Sequence, residues 1–239
     1  MEAGDTKIVL RERKEVADGT TVFWFEVPAE FSFHAGQWVD ITLMNPKYRD
    51  DGGVTRTLSI ASSPHDKEKF MIVIRNGKSA FKRNLRDLAI GAEVRLTGIG
   101  GSFVLPEKSD RPIIMIAGGI GIAPMRGMIE WATHEKLSHR IALFYSNRTA
   151  GESAFLNELR AWENENFKLI ATLTEGFDPT WKGERGRIDE KMVAKYAPDF
   201  STARFYIAGP PAMVAATWQM LVAMGVDDGA IKTEEFSGY

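Results

Sequence analysis

Residues 113–125 read Ile-Ile-Met-Ile-Ala-Gly-Gly-Ile-Gly-Ile-Ala-Pro-Met, an apolar stretch followed by a glycine turn and a proline. The pattern predicts strand, tight turn and helix. Gly118, Gly119 and Gly121 permit positive φ and close backbone approach, while Pro124 suits a first helical turn, where its missing N–H costs nothing. Free amides at such a helix start, together with the positive end of the helix dipole, suit the phosphate of a nucleotide. The stretch departs from the usual dinucleotide fingerprint, because Ala123-Pro124 stands where the third glycine would be and no acidic residue follows the next strand. By itself it fits an ordinary β–α turn as well. Further groupings carry phosphate-compatible chemistry: Phe33-His34-Ala35-Gly36-Gln37-Trp38-Val39 leads into a strand, Arg56-Thr57-Leu58-Ser59 sits inside one, and Arg75-Asn76-Gly77-Lys78-Ser79 opens a helix. An arginine pointing from a strand toward a helix N-terminus offers a guanidinium fork and free amides, enough to hold a pyrophosphate. A surface arginine and an Asn-Gly turn are the alternative readings. Gly77-Lys78-Ser79 does not end a nucleotide-triphosphate loop, since residues 72–76 contain no glycine.

Short β-branched and aromatic runs separated by turn residues predict antiparallel strands over 7–13, 21–27, 38–43, 55–61, 70–75 and 93–97. They form a closed or nearly closed barrel if they pair in sequence order or as a Greek key. Phe81, Leu85 and Leu88 recur at helical spacing and predict a helix over 79–89, with Lys82, Arg83 and Arg86 facing out. The loop 45–53, with Arg49-Asp50-Asp51, reads as a solvated connection whose charges need no function. Residues 103–111, with Pro106 and a run of charges, mark a boundary, which divides the chain into 1–106 and 107–239. Beyond it, strands near 112–117, 140–145, 167–173 and 204–208 alternate with helices and predict a parallel sheet covered on both faces. Three helical stripes accompany them: Met125, Ile129 and Ala132; Phe155, Leu159 and Trp162; Met213, Thr217, Met220 and Met224. Ligands of such a sheet sit beyond the carboxyl ends of its strands, so Gly118, Ser146, Thr174 and Gly209 are expected round one crevice.

Composition narrows the function classes. Apolar residues make up 44% of the 239, ample for real cores, and 30 basic against 32 acidic residues leave no footprint for nucleic acid or an anionic membrane. No cysteine occurs, which excludes disulfides, thiolate metal sites and any cysteine-ligated iron–sulfur cluster carried by this chain. His34, His65, His134 and His139 lack metal-ligand spacing and read as surface residues, so no metal site is expected. Gly151-Glu152-Ser153-Ala154-Phe155 lacks the closing glycine of a nucleophile elbow. With no targeting or membrane segment in view, the expectation is a cytoplasmic protein without membrane insertion.

Taken in order, the pieces resemble the ferredoxin–NADP reductase superfamily, over nearly the whole chain. Arg56-Thr57-Leu58-Ser59 resembles the R-x-Y-S flavin signature and Gly77-Lys78-Ser79 the G-x-x-S pyrophosphate turn. Gly91-Ala92-Glu93-Val94, with Gly98, Gly100 and Phe103, is similar to the sixth barrel strand and its glycine loop. Residues 117–124 resemble the nicotinamide-nucleotide turn, residues 207–213 the C-G-P-x-x-M segment, and Glu234-Glu235-Phe236 the E-x-F tail of the flavohaemoglobin reductase branch. The resemblance implies a six-stranded antiparallel flavin-binding barrel followed by a Rossmann-like parallel-sheet domain. It further implies a flavoenzyme that takes hydride from NADH or NADPH onto FAD and passes electrons to a separate acceptor such as a ferredoxin, a flavodoxin or an oxygenase component. Reduction of diffusible acceptors (free flavin, quinone, ferric complexes) is the first alternative, and a non-catalytic nucleotide-binding regulatory subunit the second.

By the same resemblance, flavin contacts fall to Arg56, Thr57, Leu58, Ser59, Ile74, Arg75, Gly77, Lys78, Ser79, Ala80 and Phe236. Nicotinamide-nucleotide contacts fall to Gly118, Gly119, Gly121, Pro124, Ser146, Arg148, Thr174, Gly209, Pro210 and Met213. Catalytic roles fall to Ser59 beside the reactive ring nitrogen, Glu234 polarising Ser59 or relaying a proton, and Phe236 on the flavin face, with Tyr239 a second aromatic candidate. Two residues depart from the pattern: Leu58 replaces a stacking tyrosine and Ala208 a cysteine facing the nicotinamide. Leu58 forgoes aromatic stacking of ~0.5–1.5 kcal/mol. Arg148 meets a 2′-phosphate or is a surface arginine. Glu175, where NADP-specific relatives carry a basic residue, would repel that phosphate, while Arg185 and Arg187 pull the other way; the balance leans to NADH.

Overall fold

The computed structural model describes residues 6–28, 30–176 and 178–237. Its first half contains strands β1 (Thr6–Ala17), β2 (Thr20–Glu26), β3 (Trp38–Leu43), β4 (Thr55–Ser59) and β5 (Lys69–Arg75), then helix α1 (Ala80–Asp87) and strand β6 (Glu93–Gly100). All pair antiparallel in the order β4-β3-β6-β1-β2-β5. The two outer strands then meet through an Ile60–Ile72 bridge and the Ala61 N–H to Met71 carbonyl bond of 2.8 Å, which closes the sheet into a barrel. Alternation explains the filling: Phe23 and Phe25 of β2, Val39 and Ile41 of β3, and Phe70, Ile72 and Ile74 of β5 point inward and are buried with Phe81 and Leu85 of α1. α1 starts where Ser79, in extended conformation, accepts from the Lys82 N–H, and it is shorter than the spacing predicts because Leu88 has already left helical geometry.

The second half is a parallel sheet. Strands β7 (Ile113–Gly118), β8 (Ile141–Asn147), β9 (Phe167–Leu173), β10 (Glu184–Arg185), β11 (Arg204–Gly209) and β12 (Ile231–Glu235) lie in the order β10-β9-β8-β7-β11-β12. Helices α2 (Ile122–His134) and α3 (Leu156–Ala161) cover the face toward the barrel, and α4 (Glu190–Tyr196) and α5 (Pro211–Ala223) cover the other. The chain runs outward from β7 to β10, then returns to place β11 and β12 on the opposite side of β7. The switch point is therefore between β7 and β11, where open α/β sheets form their crevice. One buried cluster joins Val22, Ala61, Met71 and Phe103 of the barrel side to Met125, Met128 and Ile129 of α2, so the halves share a core.

Several expectations change. The tail is a strand: β12 pairs in parallel with β11, from Phe205–Ile231 to Gly209–Glu235. The two-residue β10 is also new, and a window of that length carries no period to read. In α5 the buried line is Val214, Thr217 and Leu221; Thr217 belongs to the expected stripe, and Met213, Met220 and Met224 flank the line half-buried. α3 spans only Leu156–Ala161, because Phe155 precedes it with φ 61°. His139 is buried rather than exposed, its Nε2 2.9 Å from the Pro106 carbonyl, and His65 stacks on His134 at 4.3 Å between ring centroids. No helix among the described residues is long and apolar enough to cross a membrane.

Candidate active site

β4 carries the first group of residues. Arg56 lies with its guanidinium over the Phe81 ring of α1, at 5.3 Å, and donates through Nη1 to the carbonyls of Gly52 at 2.5 Å and Thr55 at 2.7 Å. Leu58, two residues on, packs against the barrel core. Thr57 and Ser59 alternate to the other face, where the Thr57 hydroxyl donates to Asp40 and Ser59 reaches out of the barrel. Its Oγ donates to Glu234 Oε1 at 2.5 Å, across 175 residues of sequence. β12 delivers that glutamate: its pairing with β11 aligns Glu234 with Ala208, and the Phe236 N–H bonds the Gly209 carbonyl at 2.9 Å. Glu234 is partly buried, which pushes its carboxyl above the ordinary range against the opposing hydrogen bond from Ser59, and its Oε2 is buried with no partner. Phe236 packs half-buried against the shared core.

The α1 end of the barrel holds the phosphate candidates. Gly77 lies against Lys82, close enough that a Cβ there would stand 3.0 Å from Lys82 Cδ, and Lys82 is held below its usual pKa by burial and by Arg56. Lys78 is exposed and Ser79 caps α1. The Ala80 amide donates to Asp50 Oδ2 at 2.6 Å, so the loop 45–53 is tied to the helix start and is not a free connection. Ile74 is buried in the barrel core, leaving only its backbone for a ligand. Arg75 leaves this group: it pairs with Glu152 at 2.7 Å.

The second crevice is built from backbone. Gly118, Ser146 and Thr172 align across β7, β8 and β9, and the Thr174 N–H bonds the Asn147 carbonyl, so Gly118, Ser146, Thr174 and Gly209 do gather at one sheet end. A Cβ on Gly121 would stand 2.2 Å from the Ala208 carbonyl oxygen, and one on Gly118 would meet the Met213 sulfur. Gly121 is therefore required by the packing of the turn on β11, whereas Gly118 faces a side chain of α5 that can move. Gly119, at φ 53°, has open space where a Cβ would stand, so its backbone conformation rather than packing favours glycine there. Pro124 lies buried in the first turn of α2 and Pro210 caps α5. Arg148 is exposed but engaged, donating to both Glu152 oxygens at 2.9 and 3.0 Å. Burial alone would raise the Glu152 carboxyl, but hydrogen bonds from Arg75 and Arg148 hold it below the ordinary range. Glu175 stands exposed at the end of β9. Tyr239 lies outside the described residues, and no group of three or more potential metal ligands occurs among those described.

Sequence reasoning overlooked three residues here. Asp50 and Glu152 have local partners in the Gly52 N–H and in Arg148, but the Ala80 amide and Arg75 reach them only through tertiary approach. Arg126 is the third: it sits in α2, nine-tenths buried, and donates to the Ala61 carbonyl at 2.7 Å, to Glu130 at 3.0 Å and to Glu158. Its signal was a charge inside an apolar helical stripe.

A bound FAD fits the first group: two cationic side chains, a helix start and a glycine approach converge beside an exposed end of β4. The comparisons agree. Residues 7–105 match the oxidoreductase FAD-binding domain family and residues 115–219 the oxidoreductase NAD-binding domain family. The reductase component of propane 2-monooxygenase from Rhodococcus jostii is 28% identical, over 88% of this chain and 57% of that protein. A component of the Na(+)-translocating NADH-quinone reductase of Shewanella denitrificans is 29% identical, over 90% of this chain and 56% of that one. The chain thus spans little more than half the length of these relatives. Among solved structures, the flavohem-like FAD/NAD-binding domain of nitric oxide dioxygenase from Vibrio cholerae superposes with a TM-score of 0.84 at 20% identity, over 99% of this chain and 100% of that one. A ferredoxin NADP+ reductase of Neisseria gonorrhoeae with bound FAD and NADP gives 0.81 at 21%, over 98% and 99%. The barrel and the parallel sheet have the fold of a ferredoxin NADP+ reductase, and with both domain families matched in order this chain is an oxidoreductase with an FAD-binding domain followed by an NAD-binding domain.

Proposed function

We propose that residues 1–106 hold FAD and residues 107–239 the nicotinamide nucleotide, and that hydride taken from NAD(P)H leaves as electrons for a separate acceptor: an oxygenase component, a ferredoxin or a flavodoxin. The observation that carries this reading is the Ser59–Glu234 hydrogen bond of 2.5 Å, which brings the end of the barrel's β4 against the last strand of the nucleotide sheet. FAD supplies the conversion of a two-electron donor into single-electron steps. Arg56, Lys82 and the α1 amides hold its phosphates, Ser59 donates or accepts a hydrogen bond at the ring edge, and Glu234 holds the proton that this hydroxyl exchanges. Phe236 covers the site from the side of β11 and keeps water out until the nicotinamide takes its place. The relatives' names, a monooxygenase reductase component and a component of an NADH-quinone reductase, support an electron-delivery role with different acceptors. A cytoplasmic setting would supply the nicotinamide nucleotide.

The donor is NADH on this reading. Glu175 at the end of β9 repels a 2′-phosphate, and Arg148 is engaged by Glu152. Glu175→Arg raises the NADPH-to-NADH ratio of kcat/KM, and an unchanged ratio removes that placement. The overall test is an anaerobic spectrum of the FAD-loaded protein. Bleaching of the flavin bands by NADH supports the reading, whereas bound flavin that neither donor bleaches defeats it. A second reading, reduction of diffusible acceptors, is favoured by Leu58, which packs on the barrel core and offers a bound flavin no aromatic stack. Flavin that stays with the protein through gel filtration removes free flavin from the list of those acceptors.

A further inference from the structure

The segment joining β3 to β4 is tied along the full length of α1. At its middle, the Tyr48 N–H donates to Asn84 Oδ1 at 3.0 Å and the Tyr48 carbonyl accepts from Asn84 Nδ2 at 2.8 Å. The Tyr48 hydroxyl donates to Asp87 at 3.0 Å, and the Arg83 guanidinium lies 3.7 Å over its ring. Two residues later Asp50 reaches the helix start, its Oδ2 on the Ala80 amide at 2.6 Å while Oδ1 accepts from the Gly52 N–H at 3.1 Å. Gly52 in turn offers its carbonyl to Arg56 at 2.5 Å, and a Cβ at Gly52 would collide with that guanidinium. A carboxylate oxygen on a helix-start amide is chemically equivalent to a phosphate oxygen there. The first turn of α1 has no acidic residue of its own, and Lys78 and Lys82 flank the helix start, so the site favours an anion.

We propose that Asp50 is an internal competitor for the flavin phosphates, and that the strap it belongs to sets how tightly and how long FAD is held. The proposal rests on the reading that those phosphates use Arg56 and the amides at the start of α1. The strap holds the amide through Asp50 and one guanidinium nitrogen, Arg56 Nη1, through the Gly52 carbonyl, so FAD reaches the amide by displacing the Asp50 carboxylate. The staple at Tyr48 keeps the displaced carboxylate close, where it recaptures the amide when flavin leaves. Flavin is then an exchangeable ligand of this chain rather than a permanent one.

The test is a titration of the full chain with FAD, followed by flavin fluorescence, together with the rate at which preloaded FAD is lost on dilution into flavin-free buffer. Asp50→Ala is expected to bind FAD about tenfold or more tightly and to release it correspondingly slowly, the scale of one charged hydrogen bond. Asp50→Asn keeps the shape and removes the charge, and is expected to shift affinity and release in the same direction by less. Inorganic pyrophosphate at millimolar concentration is expected to compete with FAD more effectively in Asp50→Ala than in the parent. A helix cap with no competing role predicts the reverse: lower thermal stability and FAD affinity unchanged or weaker in both variants, and that result overturns the proposal. Arg56→Ala separates the two layers. If it leaves FAD affinity untouched, the placement of the phosphates falls and the competition falls with it. If it weakens FAD while neither Asp50 variant tightens it, the competition alone is overturned.

Discussion

The two cradles of this molecule are made of different material. At the start of α1 two cationic side chains, Arg56 and Lys82, stand beside the Ala80 amide, which the chain pairs with an anion of its own, Asp50. At the ends of β7 and β11 the cradle is backbone alone, with Gly118, Gly121 and Gly209 packed on one another and on Met213. A side-chain cradle adapts, because rotamers move and partners exchange. A backbone cradle is fixed by close packing, so a single added carbon matters there. The first is suited to tuning how firmly a ligand is retained, the second to presenting a ligand at constant geometry.

The shared apolar core and Arg126 together hold the two cradles at a fixed distance. The Arg126 guanidinium ties α2 to the Ala61 carbonyl at the end of β4, while Glu130 accepts from the Ser63 N–H at 2.6 Å. Arg126→Ala leaves Glu130 and Glu158 without their cation in a partly buried setting and is expected to cost about 3–5 kcal/mol. Urea unfolding measures it, and a loss below about 1 kcal/mol would show that the shared apolar core alone joins the halves. Gly121→Ala is the next in size. Its methyl meets the Ala208 carbonyl, a backbone atom that cannot step aside, so overpacking costs about 1–3 kcal/mol and slows nicotinamide-dependent flavin bleaching. Gly118→Ala meets the Met213 sulfur first, the far end of a flexible side chain, with Pro210 Cδ farther off at 3.2 Å, and is expected to be milder and to be largely rescued by Met213→Ala. Equal effects at both glycines would erase the distinction between a rigid cradle and an adaptable one.

The same distinction explains what could be read from the sequence. The glycine turn, Arg56, Ser59 and the strand periods are local patterns, and they predicted the barrel, the parallel sheet and the gathering of Gly118, Ser146, Thr174 and Gly209. What escaped depends on approach in space. Asp50 sits in a polar loop like any other, and nothing within ten residues announces that the Ala80 amide will lie 2.6 Å away. Glu234 was placed near Ser59 by resemblance, but the strand that carries it there was not anticipated, because Ile231-Lys232-Thr233-Glu234-Glu235 is too polar to read as part of a buried sheet. An edge strand has one partner and one open side, so its sequence need not be apolar.

Glu234 couples the cradles and gives a pH signature. Its carboxyl is raised above the unfolded glutamate value of about 4.3, so the folded state binds the proton more tightly than the unfolded chain. The favourable contribution is complete below that value and is lost as pH rises through the folded-state pKa. Glu234→Gln removes the titration while keeping an acceptor for Ser59. The variant is expected to match the parent at low pH and to be the more stable of the two above the window, and parallel stability curves at all pH values would disprove the shift.

The smallest effect expected is at the pair where the two regions exchange partners. Glu152 takes Arg75 from the barrel and Arg148 from the end of β8, and Arg148 is 57% exposed. Exposure discounts the pair to about 0.2–1 kcal/mol. Glu152→Gln keeps a neutral oxygen as an acceptor for Arg75 while loosening Arg148, and on the NADH reading it leaves a cation facing the ribose of the nucleotide. The NADPH-to-NADH ratio of kcat/KM is expected to rise by about two- to fivefold, the kinetic equivalent of that free energy. Arg148→Ala in the same background should return the ratio to its starting value. A ratio that rises with Glu152→Gln and stays high without Arg148 would place the effect on Arg75, and would make the barrel rather than the sheet the region that discriminates between the two donors.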